Sequence, residues 1–201
     1  VDPSLRPFLL GIVGISLKIA LVITILGMLN IQTTSFIAIL GAAGLAVGMA
    51  LSGTLQNFAG GVMILIFKPF KIGDVIQAQG YTGSVHTIQI FNTVLKTPDN
   101  KTVIIPNGGL STGSLVNFST EPSRRVDWTI GSGYGDDADK AEQVIRGMLN
   151  ADSRVLQDPE PFIAVSELAD SSVNFAVRAW VNAADYWSVF FDLNKSVYQN
   201  F

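Results

Sequence analysis

The chain has 201 residues, of which 48% are hydrophobic, and a formal net charge of −3. The absence of cysteine excludes disulfides, thiolate metal sites and cysteine nucleophiles, and a single histidine excludes a histidine-rich metal site. The acidic balance gives no electrostatic reason to expect a nucleic-acid partner, and the composition predicts neither a metal nor a cofactor.

The charged side chains divide the chain into two unlike parts. Residues 1–67 carry only Asp2, Arg6 and Lys18, whereas residues 68–201 carry eleven basic and fifteen acidic side chains. We therefore expect a membrane segment followed by one or two small soluble domains. Because valine stands first, just before an apolar run, the sequence is expected to be a fragment whose natural start lies upstream.

The first apolar stretch covers residues 8–31. At about 1.5 Å per residue, a helix of this length can cross a hydrocarbon core of about 30 Å. Lys18 lies near its middle, where a charged side chain is costly. Two explanations stay open: Lys18 binds a lipid phosphate or an ion, or it snorkels or faces helices outside this sequence.

The second apolar stretch, residues 36–67, is too long for one straight span. Polar residues interrupt it between 52 and 57, which predicts a spanning helix over 36–52, a kink at Gly53 and an interfacial helix over 54–67. Lys68 and Lys71 follow at once, and basic residues at a membrane exit mark the cytoplasmic side. The rest of the chain is therefore expected in the cytoplasm.

Small residues in the second stretch are sorted by angle around the helix. At about 100° per residue, Leu45 and Met49 fall on one narrow strip. The small residues near that strip or on its flanks are Ala38, Gly41, Ala42, Gly44, Ala46 and Gly48. Alanines dominate one flank and Gly44 and Gly48 the other, so a head-to-tail contact repeated around an axis would close a ring.

In such a ring the strip would face a lumen, and apolar side chains there would exclude water and ions by dewetting. The alternative is a packing face of small residues within a single bundle that has no pore. The spacing of the residues leaves both interpretations open.

The soluble part begins with short β-rich segments from about 74 to 117, and a turn cluster at 98–100 separates two of them. This pattern predicts a small β barrel. The segment lacks a basic patch with interleaved aromatic residues, so RNA binding is not expected.

From Arg125 onward the order strand, helix, strand, strand, helix predicts a split β-α-β unit of the ferredoxin-like type. The sequence GSGYG at 131–135 invites a dinucleotide interpretation. The third glycine of that motif would fall on Asp136, and Asp137 and Asp139 would repel a pyrophosphate. We therefore predict a turn with aspartates that favour the following helix start.

Several separated motifs resemble one family. TTSFIAILGAAGLAVGMALSGTLQNFAGGVMILIFKPFKIGD is similar to the pore helix and exit of the MscS family, the small-conductance mechanosensitive channels. IQIFNTVLKTPDNKTVIIPNG and NFSTEPSRR resemble the cytoplasmic β domain of that family. The motifs occur in the expected order and span nearly the whole chain.

The resemblance implies a homo-heptameric ring with an α-helical pore segment, a cytoplasmic Sm-like β barrel and an α/β ferredoxin-like domain. The implied boundaries are 1–67 for the membrane helices, 68–123 for the Sm-like domain and 124–201 for an incomplete ferredoxin-like domain. Within the first, 8–31 would be the second transmembrane helix and 36–67 the kinked pore helix. By the resemblance, N-terminal helices and a C-terminal end are expected to be missing.

The resemblance also implies roles for residues. Leu45 and Met49 would form the pore constriction, where the family usually has two leucine rings, so Met49 is a departure. Gly53 would be the kink and Gly61 a second hinge. The packing knobs would be Ala38, Ala42 and Ala46, and the facing grooves would be Gly41, Gly44 and Gly48. The candidate lipid contacts are Lys18, Lys68 and Lys71.

The implied function is a weakly selective channel that membrane tension opens to release ions and small osmolytes during hypo-osmotic shock. It would be a multi-pass protein of the bacterial inner membrane, with membrane lipids as partners, and not an enzyme. The alternative is a membrane-anchored binding or scaffold protein without a pore.

Overall fold

The structure, a computed structural model, describes residues 5–200. The outer ends of the predicted first and last domains, residues 1–4 and 201, lie outside this range. Three helices come first: α1 (Leu5–Met28), α2 (Thr34–Ala50) and α3 (Ser52–Phe67). Two β-rich units follow.

The N-terminal helices are apolar enough to cross a membrane. Leu9–Met28 within α1 is long and apolar enough to form one membrane span, and none of it is buried among the described residues. Helices α2 and α3 count as a second span only if they are taken together across a 61° bend. An apolar helix with no buried surface needs lipid or other helices around it.

The first β-rich unit is a five-stranded sheet with the strand order β4-β3-β2-β1-β5, all pairs antiparallel. Gln79 and Gly80 join β1 to β2, and both have positive φ, as a two-residue hairpin turn requires. A short helix, α4, stands between β4 and β5. The elements are β1 (Val75–Ala78), β2 (Tyr81–Ile88), β3 (Asn92–Lys96), β4 (Thr102–Pro106), α4 (Asn107–Thr112) and β5 (Leu115–Asn117).

The core of this unit also contains residues from α3 and from the turn after it. Alternate inward side chains of the strands, such as Ile76 and Leu95, pack with Leu110 of α4. Ile64 of α3 and Phe70 beyond it belong to the same buried cluster. The C-terminal half of α3 is therefore packed on the sheet rather than free of it.

The second β-rich unit is an antiparallel sheet whose central strand is β9. It pairs with β6 along one edge and with β8 and β7 along the other. This β6-β9-β8 order is the one expected for the predicted split β-α-β unit. The elements are β6 (Ser123–Ser132), α5 (Ala138–Ala151), β7 (Val155–Leu156), β8 (Phe162–Leu168), β9 (Val173–Asn182), a 3₁₀ turn (Ala183–Asp185) and α6 (Tyr186–Asn200).

The core of the second unit lies between its sheet and its two helices. Ala141, Ile145 and Leu149 recur every four residues, so they form one face of α5, and all are buried. They belong to one cluster with Phe175 of β9 and Val189 of α6. This unit completes a hydrophobic core from its own residues.

The start of α5 follows the sequence prediction. The carboxylate of Asp137 accepts hydrogen bonds from the backbone N–H groups of Asp139 and Lys140. Asp136 accepts from the Ser132 hydroxyl and from the Gly133 N–H. The aspartates of this turn therefore bind the chain's own donors, which confirms the prediction of a turn and helix start.

Candidate functional site

Helix α2 presents all its side chains to the outside of the chain. None of its residues from Thr34 to Ala50 is buried, and Leu45 and Met49 are 65% and 64% exposed. The two side chains are four residues apart on a continuous helix, so they share one face. The strip predicted from the sequence therefore exists as a surface that nothing in residues 5–200 covers.

The predicted packing positions have the same exposure. Ala38, Ala42 and Ala46 are exposed, as are Gly41, Gly44 and Gly48. A Cβ atom built on each of these three glycines would meet nothing within 4 Å among the described residues. Their lack of a side chain is therefore not explained by any contact inside this chain.

The bend in the second apolar stretch lies two residues before the predicted position. Helix α2 ends at Ala50 and α3 begins at Ser52, with Leu51 between them at φ −94° and ψ 0°. This bridge conformation turns the chain, so the axis changes direction at Leu51. The kink predicted at Gly53 is therefore misplaced, because Gly53 lies within the first turn of α3.

Helix α3 runs without a break through Gly61, the second predicted hinge. A Cβ on Gly61 would come within 2.5 Å of the Ile90 carbonyl oxygen, and one on Gly60 within 2.6 Å of the Asn107 carbonyl oxygen. Both glycines are thus needed for close approach of the helix to the backbone of the β unit. A bend at Gly61 stays a prediction.

Asn107 organises the contact between α3 and the β unit. Its side chain is fully buried; its Oδ1 accepts from the Thr93 hydroxyl at 2.8 Å. Its Nδ2 donates to the carbonyls of Gln89 at 2.8 Å and Ile90 at 3.2 Å. A buried amide with these bonds fixes the β2–β3 loop against the start of α4.

A second asparagine joins α3 directly to α4. Asn57 on α3 accepts a 2.9 Å hydrogen bond at Oδ1 from the backbone N–H of Gly108. A side chain on Gly108 would collide with that oxygen, since its Cβ would lie 2.9 Å away. This junction of Asn57, Asn107 and Gly108 ties α3 to the first β-rich unit.

The sequence reasoning missed this junction and helix α4. The last β-rich segments predicted before residue 117 are found as β4 and β5, but no helix was predicted between them. An asparagine next to glycines after an apolar strand was the available signal. The partners of Asn107 lie 14 to 18 residues away and Asn57 lies 51 residues from Gly108, so spacing along the chain did not reveal them.

Lys18 lies beside a cavity between α1 and α2. The cavity has a volume of about 320 Å³, and its other lining residues are Ile19, Val22, Ile23, Leu26, Phe36, Ile39 and Leu40. All seven are apolar, and the surface exposed in the cavity is apolar throughout, so Lys18 lines it with the aliphatic part of its side chain.

Lys68 and Lys71 lie in the turn that leaves α3. Lys68 ends the helix in the left-handed conformation, with φ 48°, and both lysine side chains are exposed. Phe70 between them is buried in the core of the β unit. The turn therefore projects two cations outward while its aromatic residue anchors it.

Metal chemistry finds no support among residues 5–200. No cluster of three or more histidine, cysteine, aspartate or glutamate side chains within this range could hold a metal ion. Every buried side-chain nitrogen or oxygen atom in the described part of the chain has a hydrogen-bond partner. The distinctive features are thus an exposed apolar helix, its bend and its fixed attachment to the sheet.

Comparisons with known proteins agree on one kind of protein. Residues 53–120 match the family model described as "Mechanosensitive ion channel, beta-domain", and residues 126–201 match "Mechanosensitive ion channel MscS, C-terminal". A small-conductance mechanosensitive channel of Edwardsiella ictaluri is 48% identical over 77% of this chain. The chain spans about half the length of that relative, 54% of it.

Two further proteins match more of this chain and more of their own length. An uncharacterized MscS family protein of Buchnera aphidicola is 39% identical across the whole of this chain and 73% of its own length. A solved structure of Helicobacter pylori MscS in a closed state superposes with a TM-score of 0.88. It is 31% identical, and the match covers 98% of this chain and 78% of that one.

Proposed function

Since this chain belongs to the MscS family, whose members are ion channels and not enzymes, we propose that it forms the pore and much of the cytoplasmic part of a tension-gated channel subunit. The observation that carries the proposal is the apolar helix α2, which buries no side chain among the described residues and is followed by a 61° bend into α3. The channel would be weakly selective and would release ions and small osmolytes during hypo-osmotic shock.

Seven copies would surround the pore with their α2 helices. Ala38, Ala42 and Ala46 on one flank of a helix would enter grooves at Gly41, Gly44 and Gly48 of its neighbour. The open space around these glycines supports this arrangement, because a groove is of use only where no atom of the same chain fills it. Heterologous contacts of this kind close into a ring.

Leu45 and Met49 would then form the constriction. Two successive rings of apolar side chains in a narrow lumen exclude water and therefore ions. Membrane tension favours the conformation with the larger in-plane area, so the helices would tilt and slide along their small flanks. The lumen would wet once the rings have moved apart.

The bend at Leu51, with Gly53 two residues further on, is the place where we propose that the angle between α2 and α3 changes. The N-terminal part of α3 supports this, since Gly53 has no neighbour within 4 Å of a Cβ position. From Asn57 onward α3 is fixed to the first β-rich unit, through Asn57, Gly60 and Gly61. Movement would therefore concentrate above that attachment.

The protein would be a multi-pass protein of the bacterial inner membrane, in contact with membrane lipids. Lys68 and Lys71 at the exit would face lipid phosphates on the cytoplasmic side, and Lys18 would contact lipid at the cavity between α1 and α2. Residues 68–123 would form an Sm-like domain and 124–201 a ferredoxin-like domain, both cytoplasmic. We propose no nucleic-acid partner.

The test is patch-clamp recording of the full-length protein in liposomes under steps of negative pressure. We expect currents that appear above a threshold tension and close when it is released, and an oligomer in detergent whose mass equals seven subunits. A monomer or dimer that carries no current at any tension would favour the membrane-anchored scaffold and overturn the channel proposal.

A further inference from the structure

The turn between α3 and β1 is held by one carboxylate. The Oδ2 atom of Asp74 accepts a hydrogen bond from the backbone N–H of Lys71 at 2.9 Å and another from Nδ2 of Asn117 at 2.8 Å. The backbone N–H of Asp74 itself donates to the Lys71 carbonyl. Asp74 thus closes the turn and joins it to the end of β5.

Asn117 extends this link in both directions. Its Nδ2 also donates to the carbonyl of Pro69 at 3.2 Å, and its Oδ1 accepts from the backbone N–H of Ser119 at 2.9 Å. The Ser119 hydroxyl oxygen in turn accepts from the N–H of Val75 at 2.9 Å. Asp74, Asn117 and Ser119, which we call the exit latch, therefore bind the exit turn to the segment after β5.

The residues after the latch reach the second β-rich unit. The guanidinium of Arg124 stands 4.8 Å from the ring centroid of Phe118 and 3.9 Å from that of Tyr186, the first residue of α6. The N–H of Ala183 donates to the carbonyl of Pro122 at 2.8 Å. A continuous set of contacts thus runs from the exit of α3 through the latch to α6.

We propose that Asp74, Asn117 and Ser119 are positioning residues that fix the direction in which α3 leaves the pore. The side chains touch no part of the strip on α2, so they act through the exit turn. With the latch closed, α3 cannot change its direction without breaking hydrogen bonds to the soluble units, which favours the closed channel. This inference rests on the proposed channel function.

The variant Asn117→Asp tests the latch. It removes the amide donor to Asp74 and Pro69 and places a second carboxylate beside the first, while its oxygen can still accept from Ser119. The double variant Asp74→Asn with Asn117→Asp restores one amide-to-carboxylate hydrogen bond between the two positions and removes the repulsion between like charges. Rescue by this exchange is a result that a general packing defect would not produce.

A matched control exists in the second unit. Nδ2 of Asn174 donates to a carboxylate oxygen of Glu167 at 3.1 Å, so Asn174→Asp makes the same chemical change away from the exit turn. If Asn117→Asp fails to assemble, Ser119→Ala tests the latch more gently, because it removes only the acceptor for the Val75 N–H.

Two readouts on the full-length protein separate this inference from the channel proposal. In hydrogen exchange, we expect the amide of Lys71 to exchange about tenfold faster in Asn117→Asp and to recover in the double variant, with no change in Asn174→Asp. In patch recordings, we expect a lower opening tension for Asn117→Asp, restored toward the wild-type value by the exchange.

The outcomes are distinct. If the wild-type protein carries no current, the channel proposal fails, and the latch is still tested by exchange. If the wild type conducts but Asn117→Asp and Ser119→Ala open at the wild-type tension, or Asn174→Asp changes it equally, the latch has no positioning role. Unchanged exchange at Lys71 in Asn117→Asp would also overturn the inference.

Discussion

Helices α2 and α5 are of similar length and use apolar residues in opposite ways. Helix α5 has one buried face, formed by Ala141, Ile145 and Leu149, and charged residues elsewhere. Helix α2 carries no charge and buries nothing. An amphipathic helix finds its partner within the chain, whereas a helix that is apolar all round needs an environment that the chain does not contain. The difference separates the second β-rich unit, which forms its own core, from α2, which needs lipid or other helices around it.

The largest expected effect tests the self-contained region. Phe175 is almost fully buried in the core of the second unit, so Phe175→Ala should lower its free energy of unfolding by about 3–5 kcal/mol. Leu45→Ala, which removes an equally apolar but exposed side chain, should leave that unit unchanged within about 0.5 kcal/mol. Urea unfolding in detergent, followed by tryptophan fluorescence, measures both, since all three tryptophans lie in the second unit. Equal losses in the two variants would contradict the comparison.

A glycine pair sharpens the boundary between the two regions. Gly61→Ala places a Cβ against the Ile90 carbonyl and should destabilise the contact of α3 with the sheet by about 1–3 kcal/mol. Gly53→Ala, eight residues earlier, meets open space and should leave stability unchanged or raise it by up to about 1 kcal/mol. Thermal unfolding followed by circular dichroism compares them. A Gly61→Ala protein as stable as Gly53→Ala would show that α3 is not attached as described.

A smaller effect concerns acid stability of the second unit. The hydrogen bonds from the Arg154 guanidinium hold the pKa of Asp152 below its usual value near 3.8. A carboxylate with a lowered pKa adds stability above about pH 4 that is lost as the pH falls through the folded-state value. At pH 7 Asp152→Asn should therefore be less stable than the wild type by about 1 kcal/mol. The gap should narrow as the pH falls below about 4 in urea titrations, and a gap that stays constant as the pH falls would be inconsistent with this pair.

The smallest effect lies on the unpartnered helix itself. Methionine is more flexible than leucine, so Met49→Leu should pack the proposed constriction more tightly. We expect a slightly higher opening tension and less current at zero tension in patch recordings. A Met49→Leu channel that leaks more than the wild type would count against Met49 as part of the seal.

Local patterns in the sequence predicted the repetitive parts of the fold. The order strand, helix, strand, strand, helix predicted from Arg125 onward is confirmed by β6, α5, β8, β9 and α6, because β-rich runs and an amphipathic helix with a capping aspartate are local signals. The bend was predicted two residues too late, at Gly53, because glycine weakens a helix wherever it occurs. In the structure the helix is interrupted at Leu51, just before Ser52.

The contacts that attach the helices to the soluble units could not be predicted. Asn57 and Gly108, or Asp74 and Asn117, lie more than forty residues apart, and nothing in their spacing pairs them. Gly60 and Gly61 were visible in the sequence, but their reason is the carbonyl groups of another element. The strip of Leu45 and Met49 was predicted as a surface by helix geometry alone, and its role as a constriction stays a proposal.

The central claim is that this strip of α2 faces a lumen, and a pair of serine substitutions in the full-length channel tests it most directly. Val47 lies about 200° around the helix from Leu45 and is similarly exposed. In liposome patches without applied pressure, we predict a standing leak for Leu45→Ser, because its ring no longer excludes water, and none for Val47→Ser. No leak in Leu45→Ser, or equal leaks in both, would contradict the account.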